Sequence, residues 1–174
     1  MIIAILIGFF TACNTSKKAA IKKQTYIEQT YLELKKELPE AEVKLLMDTI
    51  KVLFPENLLF AFGKSEVKKD SYVPLEKLSR ILNVYNKHKI LITGYTDNVG
   101  EEEINEALSK NRAENTKQIL IQNKVIESRL FTWGRGSKDP IASNQNVEGR
   151  NKNRRVEFVI LYSYKPEINE DEEK

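Results

Sequence analysis

Residues 89–97 read Lys89-Ile90-Leu91-Ile92-Thr93-Gly94-Tyr95-Thr96-Asp97, and beyond Asn98-Val99-Gly100 the chain runs from Glu101-Glu102-Glu103 through Arg112 to Gln122 without a glycine or a proline. The first part is a short apolar, β-branched run closed by a glycine, which is the pattern of a strand. The second opens on three carboxylates, which suit the partial positive charge at a helix N-terminus. Strand, tight loop and long helix in succession are one unit of an alternating chain.

The same alternation extends outward. Upstream, Val73, Leu75, Leu78, Ile81, Leu82 and Tyr85 fall on one face of a helix expected from about Tyr72 to Asn86. Before it, Ile50–Phe54 and Leu58–Phe62 read as strands divided by a turn at Pro55-Glu56-Asn57. Downstream, Arg129–Gly134 and Arg155–Tyr162 supply two more strands, joined by a loop rich in Asn, Ser and Gly. The expected fold is an α/β sandwich (α+β) with a βαβαβ core, its helices on one face of a small mixed sheet. From Lys17 to Ile50 the chain is charged, and Ile27, Tyr31, Leu34 and Leu38 recur at helical steps. Pro39 is expected to start a second turn-rich or helical piece in which Val43, Leu46, Met47 and Ile50 continue the stripe. This segment reads as an N-terminal helical spacer that packs locally, with pairing to another protein's helix as the alternative.

The chain's 174 residues give room for one domain and an appendage, and 41% apolar with 30% charged residues is a globular balance. A net charge of +3 without a basic block leaves no nucleic-acid footprint. Cys13 is the single cysteine and His88 the single histidine, so neither an intrachain disulfide nor a histidine–cysteine metal cluster or triad can be assembled. His88, between Lys87 and Lys89, reads as a surface turn residue. Ser109 has no base beside it, and Glu101-Glu102-Glu103 is explained by the helix terminus. No enzyme, no metal and no cofactor are therefore expected.

At the other end, Met1–Phe10 is an apolar run, followed by Thr11-Ala12-Cys13 and then by polar Asn14-Thr15-Ser16-Lys17-Lys18. The run is too short for a membrane span but long enough for the core of a signal peptide. Small residues before a lone cysteine resemble the bacterial lipobox, although Phe10 stands where leucine is usual and no Lys or Arg precedes the run. That resemblance implies a signal peptide over 1–12 and acylation, such as palmitate, on Cys13. An ordinary secretory leader with Cys13 a bystander is the alternative.

Gly94-Tyr95-Thr96-Asp97, Ala107-Leu108-Ser109-Lys110-Asn111-Arg112-Ala113, Trp133-Gly134-Arg135-Gly136 and Gly149 to Glu157 stand in this order. Together they resemble the OmpA C-terminal domain shared by peptidoglycan-associated lipoproteins and flagellar stator proteins. The resemblance places that domain at 49–164; before it come the lipidated Cys13 and helical spacer, 13–48, and after it an acidic tail, 165–174, whose charge run reads as a disordered, solvated end. It implies an outer-membrane lipoprotein facing the periplasm that grips peptidoglycan, whose diaminopimelate carries an ammonium and a carboxylate at one end.

The family's paired acid and base fall on Asp97 and Arg112. Asp97 sits at a strand end, and Asn105, Leu108 and Arg112 share one helical stripe. A carboxylate and a guanidinium close together match a zwitterion, although the two can also simply pair with each other. Phe62 is expected either as a pocket wall or in the core. Arg154 is a further candidate, with alternation unable to say whether it or Arg155 points inward. Gly63 and Ala61 replace acids common in the family, which weakens that edge, and Tyr95 replaces its usual histidine. Besides peptidoglycan and a membrane reached through Cys13, an envelope protein is a possible partner.

Overall fold

The computed structural model describes residues 7–163, with side chains from Lys17 onward. The expected signal peptide therefore lies partly outside the described residues, as do the side chain of Cys13 and the acidic tail 165–174. In chain order the elements are α1 (Ile7–Glu37), β1 (Glu42–Leu46), β2 (Thr49–Pro55), α2 (Glu56–Leu59), α3 (Tyr72–Val84), β3 (His88–Tyr95), α4 (Glu102–Gln122), β4 (Leu130–Gly134), α5 (Val147–Asn153) and β5 (Arg155–Tyr162). The strands form one mixed sheet in the order β1-β2-β5-β3-β4. β3 and β4 run parallel, connected through α4, and the other neighbours pair antiparallel.

Alternation decides which face is covered. Ile50, Val52 and Phe54 of β2, Val156, Phe158 and Ile160 of β5, and Ile90 and Ile92 of β3 are buried in one core with Leu75, Leu78 and Leu82 of α3 and Leu120 of α4. The sheet is thus an α+β layer with helices on one face, as its sequence pattern indicates.

Three elements differ from the sequence reading. Val43 and Leu46 do not continue a helix: β1 and β2 form a hairpin in which Leu46 pairs with Thr49 across Met47-Asp48. Met47 takes the left-handed conformation at φ 53°, and strand pairing outweighs the helical spacing of the apolar residues. Leu58–Phe62 is not a strand either. Pro55 leads into the helical turn α2, and only Phe60 makes a sheet-like bridge, to Val67. The loop before β5 contains α5, capped where Asn146 Oδ1 accepts a 2.7 Å bond from Gly149 N.

The spacer reading also changes. Ile27, Leu34 and Leu38 are fully buried in the core that the sheet builds, so α1 packs as one of the covering helices. Its neighbour His88 is buried, not a surface turn residue. The ring lies 5.1 Å from that of Tyr26, and its Nε2 is 3.0 Å from Thr30 Oγ1. Burial, helped by the charge of Arg129, pushes the imidazole pKa down to about 4.

Candidate functional site

Two glycines set the height of α4 above the sheet. Gly94 and Gly134 face each other in the parallel register of β3 and β4. A Cβ on Gly94 would overlap the Ser109 carbonyl, and one on Gly134 would lie 2.6 Å from Lys110 N. With neither present, α4 lies directly on the strand ends, and Asn105, Leu108 and Arg112 are carried over the point where β3 gives way to its loop.

The loop is pinned on both sides. Thr96 N donates to Gly136 O at 2.8 Å, Val99 N donates to Asp97 Oδ1 at 3.0 Å, and Asn105 Nδ2 donates to Val99 O at 3.1 Å. Asp97 is thereby nearly buried, at 8% exposure, with its second oxygen turned inward. That oxygen meets Arg154, which follows α5 and whose Nη1 lies 2.5 Å from Asp97 Oδ2.

Arg154 also binds Glu56, a residue the sequence reading treated only as part of a turn. Glu56 N donates to Arg154 O at 2.9 Å, so backbone and side chain dock the Pro55-Glu56 corner onto the end of α5. The other Glu56 oxygen accepts from Arg112 Nη2. Four alternating charges therefore stand in a row, Arg112–Glu56–Arg154–Asp97, and the direct Asp97–Arg112 pairing that the sequence left as an alternative does not form.

Arg112 is 1% exposed. Its Nε donates to Lys64 O at 2.9 Å and its guanidinium lies 5.2 Å from the centre of the Phe60 ring. Burial lowers its pKa and Glu56 opposes that shift. For Arg154 burial also acts downward, but Asp97 and Glu56 together hold it above the usual arginine value.

A cavity of about 520 Å³ opens on this row. Asp97, Asn105, Leu108, Arg112, Arg154 and Phe62 all line it, so the structure brings the six sequence candidates to one place. Phe62 is 86% exposed at the rim, which removes it from the core. Arg155 takes the other direction: it is buried beneath the open sheet face, 2.7 Å from Glu157, with its guanidinium 3.7 Å from the Tyr95 ring centre. Tyr95 is thus a stacking support for Arg155. Among the described residues no group of three His, Cys, Asp or Glu is placed to hold a metal ion.

Fold and cavity define a small α+β domain with a charge-alternating cavity where helix and sheet meet. The OmpA family model matches residues 59–154, more than half of the chain, and the chain belongs to the OmpA family. It is 36% identical to outer membrane protein A of Bordetella avium over 66% of this chain and 59% of that protein. It is 35% identical to a probable lipoprotein, YiaD, of Escherichia coli over 65% of this chain and 52% of that one. The matched stretch thus spans little more than half of either relative. Over 56% of this chain and 30% of the other protein, it is 42% identical to the peptidoglycan-binding protein ArfA of Mycobacterium bovis. Among solved structures, a MotB-like protein of Desulfovibrio vulgaris superposes with a TM-score of 0.73 at 26% identity, covering 83% of this chain and 98% of that one. The cell-wall anchor of the type VI secretion system of Pseudomonas aeruginosa gives 0.67 at 25% identity, over 79% and 97%.

Proposed function

We propose that this protein binds peptidoglycan non-covalently through the zwitterionic end of diaminopimelate, and that acylation at Cys13 ties it to the outer membrane on the periplasmic side. The observation that carries the binding half is the row Arg112–Glu56–Arg154–Asp97 along one cavity wall. It has no net charge and alternates in sign, so an ammonium and a carboxylate a few ångströms apart can each face an opposite charge. A purely anionic or purely cationic ligand meets a repelling neighbour. Asp97 accepts two hydrogen bonds within the protein and has lone pairs left for an ammonium. The planar Arg112 fork suits a carboxylate.

The action is binding, without catalysis: the carboxylates at the site are held by arginines, and neither is paired with a nucleophile or a base. For the membrane half, the short apolar run ending at Thr11-Ala12-Cys13 and the likeness to a probable lipoprotein give support. No helix among the described residues is long and apolar enough to cross a membrane. A second reading, an adaptor that docks an envelope protein, is favoured by one feature. The sheet face opposite the helices exposes Phe131, Trp133 and Leu161 at 43–52%.

The test is co-sedimentation of residues 17–174 with insoluble peptidoglycan, comparing wild type, Asp97→Ala, Arg112→Ala and Arg112→Lys. Wild type is expected in the pellet and the variants in solution, with thermal melts reporting whether each variant is folded. A folded Arg112→Lys that sediments like wild type refutes the bidentate contact. Wild type that stays in solution refutes wall binding.

A further inference from the structure

A second cavity, of about 600 Å³, lies against the first, and Glu56 and Arg154 line both. The ion pair between them is the partition. On the far side, Leu53, Pro55 and Ile141 give an apolar floor, and Glu40 and Asn57 stand with Glu148 among the polar lining. Glu148 is neutralised by Lys152 at 2.8 Å, and Glu42 by Lys44. Glu40 has no ion-pair partner among the described residues, so the cavity carries acceptors and amides with little net charge.

We infer that this second cavity is a subsite for an N-acetylated amino sugar of the glycan strand, and that the protein reads sugar and peptide together. The inference rests on the peptidoglycan reading of the first cavity. A pyranose ring has an apolar C–H face and a rim of hydroxyl and amide groups. It matches a hydrophobic floor edged by carboxylate and carboxamide, where hydroxyls donate to Glu40 and Asn57 both donates and accepts. A bare ammonium would leave the apolar floor unused, and an anion would meet the carboxylate of Glu40, which has no counter-charge among the described residues.

The experiment is calorimetric titration of the full-length protein with three soluble ligands: a disaccharide-peptide containing diaminopimelate, the same peptide stripped of its sugars, and the disaccharide alone. Wild type is expected to bind the disaccharide-peptide about tenfold more tightly than the bare peptide. Glu40→Ala combined with Asn57→Ala, both outside the charge row and not fully buried, is expected to abolish that gap and leave bare-peptide affinity unchanged. Equal wild-type affinity for the two peptide ligands overturns the subsite while the peptidoglycan reading stands. A double variant that weakens both ligands alike also overturns it, because the residues then act on the first cavity. If neither peptide ligand binds wild type, both readings fall.

Discussion

Glu56 offers the sharpest test of how the site is held, because it is the shared acceptor of two arginines and is itself 6% exposed. In Glu56→Ala, Arg154 keeps Asp97 and Asn151, but Arg112 keeps only the Lys64 carbonyl. A guanidinium that is 1% exposed is then left without its counter-charge. Removing one partner of a buried ion pair costs about 3–5 kcal/mol, whereas replacing both by apolar groups of similar shape is often close to neutral. With a urea slope of about 2 kcal/mol/M, the single variant should lower the unfolding midpoint by about 2 M. The double variant Glu56→Ala with Arg112→Met should recover most of that loss, yet remain unable to bind peptidoglycan. Urea titrations of wild type, both single variants and the double give the coupling energy. A midpoint shift under about 0.5 M for Glu56→Ala, or a double variant no better than the sum of its parts, would refute the claim that Glu56 is what makes a buried Arg112 tolerable.

Other outcomes follow from the same geometry. His88 has a folded pKa of about 4 against an unfolded value near 6.5, so between those values the unfolded state binds more protons and stability falls as pH drops. The loss should reach about 3 kcal/mol by pH 4 and shrink in His88→Gln, as urea melts at several pH values would show. Gly94→Ala should destabilise by about 1–3 kcal/mol and weaken peptidoglycan sedimentation, since α4 is pushed off the sheet with Arg112 on it; an unchanged melt refutes that close approach. A fragment beginning at Ala41 removes Ile27, Leu34 and Leu38 from the core and should lose at least about 5 kcal/mol relative to one beginning at Lys17. Equal melting temperatures would return α1 to the status of a spacer.

Much of the fold was legible because the decisive segments are locally consistent. β3, β4 and β5 are short runs rich in apolar and aromatic residues, α4 is long and free of glycine and proline with carboxylates at its start, and the spacing of Asn105, Leu108 and Arg112 already put them on one side of α4. What misled was competition between levels. Val43 and Leu46 fit a helical stripe as well as a strand, and only the pairing of β1 with β2 decides between them. The apolar run Leu58–Phe62 resembles a strand, but Pro55 starts a helical turn that buries Leu59 and Phe60 and leaves Phe62 outside. Glu56 was hidden because its role depends on two arginines distant in sequence, 56 and 98 residues away. No local pattern reports such a triangle. His88 was misjudged because its lysine neighbours suggested solvent, whereas Tyr26 and Thr30 of α1 cover it from elsewhere in the chain.

The burial of α1 has a mechanical meaning. If the proposed lipid is carried on Cys13 and the pocket holds the wall, the helix would be the strut between the two, rising about 21 Å before its first core residue, Ile27. Tension between the two layers would then arrive at Ile27, Leu34 and Leu38 as a sliding load along the helix axis, resisted by all three contacts at once. A flexible string would take up slack and hide the load from the domain. Here the strut and the core are one piece, so strain in the envelope would be felt by the same packing that supports the pocket.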